Sequence, residues 1–238
     1  MAISSLQLPQ ALQLIELANE QKLAKQLAAS VAEVLQQAIA ERGTASLVVS
    51  GGRTPLNFFK QLAQHELNWA QVVVSLADER WVPVGHADSN EGLVRRHLLQ
   101  GPAAKARFIG LYHSAATVDE CALAADQALA QLPQPIDALV LGMGEDGHTA
   151  SLFPASPNLA EALLPDAQRR CLALRAPTVP HQRLSLTLAV LGKARSTFLL
   201  LQGSSKLSTL REAVAAGDVP LMPIRAFFNS PLNIYWCP

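Results

Sequence analysis

The chain has only three cysteines in 238 residues, Cys121, Cys171 and Cys237. They are odd in number and far apart, and no CxxC pair occurs, so neither a disulfide framework nor a zinc site is expected. Three reduced thiols in a cytosolic chain is the plain reading. Neither sign of charge is in excess: Lys and Arg total 19, Asp and Glu total 19, and the formal net charge is zero. Proteins that bind duplex DNA or RNA carry a basic surplus, because their affinity comes from neutralising phosphates, so no nucleic-acid partner is expected. A balanced total still permits a local basic cluster around a small anion. No apolar run approaches the roughly 20 residues that cross a bilayer. The stretch Met1–Gln10 lacks the basic start and apolar run of a secretory signal. No membrane contact is expected, and the expected location is the cytoplasm. Internal repeats, low-complexity tracts and Gly/Ser linkers are also missing, which predicts one domain over residues 1–238.

What is present is apolar. Half the residues are hydrophobic and 16% are charged, which excludes intrinsic disorder. A chain of this length buries roughly 70–75% of its unfolded surface and needs no metal or disulfide to fold. Residues 11–42 carry Leu23, Leu27, Val31, Val34, Leu35 and Ala38 at helical spacing, which predicts one long amphipathic helix ended by Gly43. Short apolar runs follow at Leu47–Val49, Val72–Leu76, Phe108–Leu111, Ala138–Leu141, Cys171–Leu174, Leu184–Leu188, Phe198–Leu201 and Asn233–Trp236. Helical stretches near 55–64, 90–99, 117–131 and 205–216 alternate with them. That alternation predicts an α/β fold, three-layer αβα, around a mainly parallel, Rossmann-like sheet. In Leu184–Leu188 the leucines alternate with Ser185 and Thr187, which predicts a strand with one more polar face.

Ligands of parallel α/β sheets bind outside the carboxyl ends of the strands, so the loops there carry the chemistry. The first is Ser50-Gly51-Gly52-Arg53-Thr54-Pro55. Its glycines let a ligand approach the backbone, Thr54 is a good N-cap, and Pro55 suits the first helical position. Free N–H groups and the dipole would favour an anion, which Arg53 would reinforce. An ordinary tight connection explains this loop equally well. The second is Asp78-Glu79-Arg80, three charges leaving an apolar strand, with an acidic group to orient a substrate hydroxyl and Arg80 to pair with an anion. Asp88-Ser89-Asn90-Glu91 resembles a helix start with a capping box between Asp88 and Glu91. The third is Gly142-Met143-Gly144-Glu145-Asp146-Gly147-His148. It matches G-x-G-x-x-G, but Pro154 blocks a crossover helix, and no acidic residue ends a strand about 20 residues later to hold a ribose. Its chemistry lies in His148, poised for proton transfer near neutral pH, with Asp146 to orient it. A fourth loop, Gly203-Ser204-Ser205-Lys206, puts a lysine in a first helical turn, against the dipole. An anion nearby would explain it, and so would a solubilising role. The other histidines show no metal-ligand spacing, and no Gly-x-Ser-x-Gly elbow occurs.

Together with Leu141–Pro154 and Arg183-Leu184-Ser185-Leu186-Thr187-Leu188, these segments resemble, in order, the 6-phosphogluconolactonases. That family is related to the glucosamine-6-phosphate isomerase/deaminases. The resemblance implies hydrolysis of 6-phosphoglucono-1,5-lactone to 6-phosphogluconate in the oxidative pentose phosphate pathway, with no metal or organic cofactor. It implies that Ser50, Gly51, Gly52, Arg53, Thr54, Arg80 and Lys206 hold the phosphate. Asp78, Gly144 and Arg183 would help shape the substrate site. His148 would be the general acid and base, beside Asp146. The only partner expected is the sugar-phosphate lactone, with the chain a monomer or a weak homodimer. The related isomerases typically carry a glutamate five residues after the histidine. Here that position is Phe153, which cannot move a proton and so favours the lactonase. A glucosamine-6-phosphate deaminase-like enzyme and a non-catalytic sugar-phosphate sensor are the alternatives.

Overall fold

A computed structural model describes residues 8–177 and 180–238; Met1–Gln7 of the stretch read above for a signal lie outside the described residues. Strands β2 (Ala45–Val49) and β3 (Val72–Leu76) are buried at every position. Continuous apolar runs of this kind suit the middle of a parallel sheet covered on both faces. They join β1 (Leu12–Glu16), β5 (Arg107–Ile109), β6 (Ala138–Leu141), β9 (Ser196–Gln202) and β10 (Leu232–Cys237) in a seven-stranded sheet of order β1-β10-β9-β6-β2-β3-β5. Every pairing in it is parallel. The helices include α1 (Glu20–Arg42), α2 (Leu56–Leu62), α3 (Asn90–His97), α4 (Val118–Ala128), the short α5 (Leu159–Ala162) and α7 (Ser204–Val214). The α/β class and the mainly parallel sheet thus match the expectation. No helix among the described residues is long and apolar enough to cross a membrane.

Several boundaries differ from the sequence reading. The expected helix 11–42 is a strand and then a helix. Leu12–Glu16 pairs with β10 at the sheet edge, and Asn19 then starts α1 by accepting the Lys22 N–H at 3.0 Å. Gly43, at φ 72°, ends α1 as expected. The run Leu184–Leu188 is strand only to Leu186, because β8 (Arg183–Leu186) gives way to the short helix α6 (Leu188–Leu191) capped at Thr187. Its more polar side faces inward: Ser185 is buried, with its hydroxyl donating to the Leu186 carbonyl. Asp78–Arg80, read as a loop, forms β4. With β8 and β7 (Cys171–Leu174) it makes a second, antiparallel sheet of order β4-β8-β7. The side chain of Ser151 bonds Asp78, and the Leu186 N–H bonds the Ala77 carbonyl, so this small sheet is fastened beside the end of β3.

Chain order reverses at β2. From β2 the chain runs outward through β3 and β5, then crosses to β6 on the other side and continues through β9 to β10, which lies beside the first strand, β1. The crevice between the carboxyl ends of β2 and β6 is therefore the topological switch point, where open α/β sheets take their ligands.

Candidate active site

At the switch point lies a cavity of about 270 Å³. Four connections meet in its wall: Ser50, Gly51, Thr54 and Pro55 after β2; Asp78, Arg80 and Asn90 around β4; Gly142–Gly144, His148 and Ala150 after β6; and Gln202 and Lys206 after β9. Of the residues singled out from sequence, Ser50, Gly51, Thr54, Asp78, Arg80, Gly144, His148 and Lys206 are brought together here. Gly52, Arg53, Asp146 and Arg183 do not line the cavity, and Arg53 is exposed.

The loop after β2 is held by the Ser50 N–H on the Val140 carbonyl at 2.9 Å. Beyond it the backbone N–H groups of Gly51, Gly52 and Thr54 donate to no backbone acceptor among the described residues. Thr54 does not cap α2. Pro55 occupies the cap position with helical angles, and no side chain closes the turn. The Thr54 hydroxyl is thereby left to the cavity. Gly51 is required by a close approach, since a methyl group there would run into the Asn90 amide.

Glu79 organises the next wall. Its carboxylate is fully buried and accepts the N–H groups of Arg80 at 2.7 Å, Asn90 at 2.8 Å and Glu91 at 2.7 Å, with the Ser89 hydroxyl at 3.1 Å. It thus takes up open N–H groups at the start of α3. The expected capping box between Asp88 and Glu91 does not form. Ser89 is the N-cap, accepting from the Gly92 N–H, and Glu91 pairs instead with Arg95 at 2.8 Å. Burial pushes the Glu79 carboxyl up to about 7, although its backbone donors pull it down.

This cap fixes Asn90, a residue the sequence reading took as structural. Asn90 is 2% exposed, and its Nδ2 donates to the Asp78 carbonyl at 2.9 Å. That bond turns Oδ1 toward Gly51 and leaves it buried without a partner among the described residues, as is Ser50 Oγ. Both residues line the cavity. Asp78 accepts the Ser151 hydroxyl on Oδ2 at 2.6 Å. In the sequence Asn90 is marked only as part of the Asp88-Ser89-Asn90 stretch that shares the family resemblance, at the start of α3, with no role of its own.

Arg80 lies directly across the β4–β8 ladder from Arg183. Like charges directly opposite on paired strands repel. Arg183 is 6% exposed, and its Nε and Nη1 have no hydrogen-bond partner among the described residues. Burial, with Arg80 adding to it, lowers its proton affinity. Two guanidinium groups on paired strands, one of them with buried unmet donors, are set up to attract an anion.

His148 sits in the loop after β6. The loop is pinned by Gly144 N–H on the His148 carbonyl at 2.8 Å and by the Thr149 hydroxyl on the Gly142 carbonyl at 2.8 Å. Gly144 is the second glycine with a steric duty, because a methyl group there would collide with the imidazole and Asp146 Oδ1. Asp146 Oδ1 lies 2.5 Å from His148 Nδ1. A carboxylate there holds the proton on Nδ1, so Nε2 carries the free lone pair. Partial burial pushes the Asp146 carboxyl up, but its bonds to His148 outweigh that and hold it below its usual value. The imidazole stacks on Phe153, centroids 4.2 Å apart at 29°. The Arg183 guanidinium carbon lies 6.0 Å from the centroid of the same phenyl ring.

Lys206 occupies the first turn of α7, whose cap position is Gly203. It has no ion-pair partner among the described residues and borders the cavity opposite the β4 wall. The cavity therefore offers a base held by a carboxylate, a set of cationic and N–H donors, and unpaired hydrogen-bonding oxygens.

The sequence profile described as glucosamine-6-phosphate isomerases/6-phosphogluconolactonase matches residues 18–236. A 6-phosphogluconolactonase of Pseudomonas putida is 60% identical over 238 residues, covering 100% of this chain and 98% of the relative. One from Pseudomonas aeruginosa is 57% identical, with 100% of both chains covered. Among solved structures, a 6-phosphogluconolactonase from Shewanella baltica superposes with a TM-score of 0.92 at 42% identity, over 94% of this chain and 97% of that one. With a full-length match of this kind around a cavity of this chemistry, the chain belongs to the glucosamine-6-phosphate isomerase/6-phosphogluconolactonase family.

Proposed function

We propose that the chain hydrolyses 6-phosphoglucono-1,5-lactone to 6-phosphogluconate. The reading rests on one arrangement above all: a His148–Asp146 pair on a cavity with cationic walls, the imidazole stacked against Phe153 and not beside a second carboxylate. Family membership and the high identity to lactonases support the same substrate. The phosphate is bound by the Ser50–Thr54 loop with Lys206 and Arg80, and Arg183 adds charge behind Arg80. Asp78 and Asn90 accept hydrogen bonds from ring hydroxyls.

In the reaction, His148 Nε2 takes a proton from water as its oxygen attacks the lactone carbonyl carbon. Asp146 stabilises the imidazolium that forms. The tetrahedral intermediate collapses with cleavage of the bond from that carbon to the ring oxygen, and His148 returns the proton to the ring oxygen. A lactone is already an activated ester, so no covalent nucleophile is needed. Anchoring the remote phosphate fixes the reacting carbon against the imidazole, an effect of orientation paid by binding energy. The Gly144 N–H already bonds the His148 carbonyl, so the developing oxyanion falls to other backbone N–H groups of the glycine-rich loops.

A coupled assay corrected for spontaneous ring opening tests the proposal. Lactone hydrolysis without ammonia release from glucosamine 6-phosphate is expected. Preferential deamination would overturn the reading in favour of an isomerase, and binding without turnover of either would favour a sensor.

A further inference from the structure

Outside the cavity, two histidines far apart in sequence converge on one carboxylate. His86 and Asp88 lie on the connection between β4 and α3, and His181 lies just before β8. His181 Nε2 is 3.0 Å from Asp88 Oδ2, and His86 Nδ1 is 3.8 Å from the same oxygen. The two imidazoles meet edge to face with centroids 5.6 Å apart. One ligand atom from each of the three residues lies within 4.8 Å of the others.

We propose that His86, Asp88 and His181 form a binding site for a divalent d-block cation such as zinc or cobalt. Each histidine is held at Asp88 by its own hydrogen bond, His181 Nε2 on the carboxylate and His86 Nδ1 accepting the Asp88 N–H, while His86 Nδ1 stays 3.8 Å from the carboxylate oxygen, beyond bonding range. A metal would join all three side chains on one centre. Bond lengths of about 2.0–2.1 Å in a tetrahedron put neighbouring ligand atoms about 3.3 Å apart, and the two measured separations bracket that value. Two imidazoles and one carboxylate suit zinc, cobalt, nickel or copper, not magnesium or calcium, which prefer oxygen ligands throughout. The side chains are 45%, 53% and 27% exposed in chain order, so the outer position is open to water. To ligate through Nδ1, His86 exchanges the Asp88 N–H, now 3.1 Å away, for the ion.

None of the three residues lines the catalytic cavity. The site is nevertheless joined to it, because the Asp88 carbonyl accepts Arg80 Nη1 at 2.7 Å. An ion here clamps the β4–α3 connection to the β7–β8 connection and steadies the segment that holds Arg80. The proposal does not depend on the lactone chemistry, and its histidines escaped the sequence reading because their 95-residue separation has no ligand spacing.

Chelator-treated protein titrated with cobalt(II), and then with zinc in competition, tests the site through the cobalt d–d spectrum. The expected result is one cobalt per chain, displaced by zinc, in the unaltered protein and equally in His148→Ala. Binding is lost in His86→Ala and in His181→Ala, with His181→Gln as a second replacement should the alanine variant fold poorly. No cobalt binding by the unaltered protein overturns the proposal. So does binding that survives loss of either histidine, or that disappears with His148 instead.

Discussion

His148 and Asp146 are joined through Nδ1, and a general acid–base pair contributes roughly 10²–10⁴-fold to a rate. His148→Ala is expected to lower kcat within that range and leave KM nearly unchanged, measured with the lactone assay. A change confined to KM would remove His148 from proton transfer. Asn90 acts differently. Its unpaired Oδ1 matches a substrate hydroxyl, and an orphaned buried acceptor costs about 1–3 kcal/mol. Lactones lacking one ring hydroxyl each should therefore react more slowly than the parent, one of them by roughly 10–100-fold. In Asn90→Ala that one substrate's disadvantage should shrink toward unity. If the variant slows every lactone equally, Asn90 only supports Gly51 and Asp78. His148, Arg80 and Lys206 were readable from the chain because each is charged or titratable and adjoins a strand end. Asn90 was not, because its role depends on Asp78 fixing one side of its amide and on Gly51 leaving room for the other. For the same reason Arg53, which the sequence places beside the loop's glycines, does not line the cavity: adjacency to two glycines does not set the direction of its side chain.

Sheet and helix periods were legible where burial was one-sided or complete, as in β2, β3 and β6. They failed where an element was short or joined to another. Leu12–Glu16 runs directly into α1, and its apolar residues continue the helical pattern until Asn19 interrupts it. Asp78-Glu79-Arg80 has no apolar residue at all, and is a strand only because β8 pairs with it. Once β4 forms, Glu79 is buried and caps α3, which sets a pH dependence. Its folded-state carboxyl titrates at about 7, above the ordinary 4.5, so the folded state binds this proton more tightly than the unfolded state does. The stabilisation from Glu79 is then complete below about pH 4.5 and is lost as pH rises through about 7. Across that window it amounts to about 3 kcal/mol at most. Glu79→Gln abolishes the titration but sets an amide N–H₂ against backbone donors, which costs about 1–3 kcal/mol. Urea unfolding from pH 5 to pH 8 should reveal an unaltered protein that loses more stability with rising pH than the variant. A constant difference between the two would mean that Glu79 keeps its charge throughout.

At the scale of the whole molecule, the charge balance that argues against polyanionic partners also bears on kinetics. With 19 charges of each sign there is no net field to steer a sugar phosphate from a distance. Attraction must come from Arg80 and Lys206, which face the cavity from different walls and so act within about one Debye length, near 10 Å at 0.1 M salt. The salt dependence of kcat/KM should accordingly be shallow. Between about 50 and 200 mM it should fall by less than about tenfold, far from the 10³–10⁵ losses of proteins that release many counterions from nucleic acid. The residual slope should belong to the cavity. Lys206→Ala is expected to raise KM, to leave kcat closer to its original value, and to flatten the dependence on salt. Lys25→Glu, on the exposed side of α1, changes the total charge by two but adds no charge to the cavity wall, so it should leave both KM and the slope unchanged. If Lys25→Glu altered the slope as much as Lys206→Ala, association would be governed by the summed charge, and the division of labour between a neutral exterior and a cationic cavity would not hold.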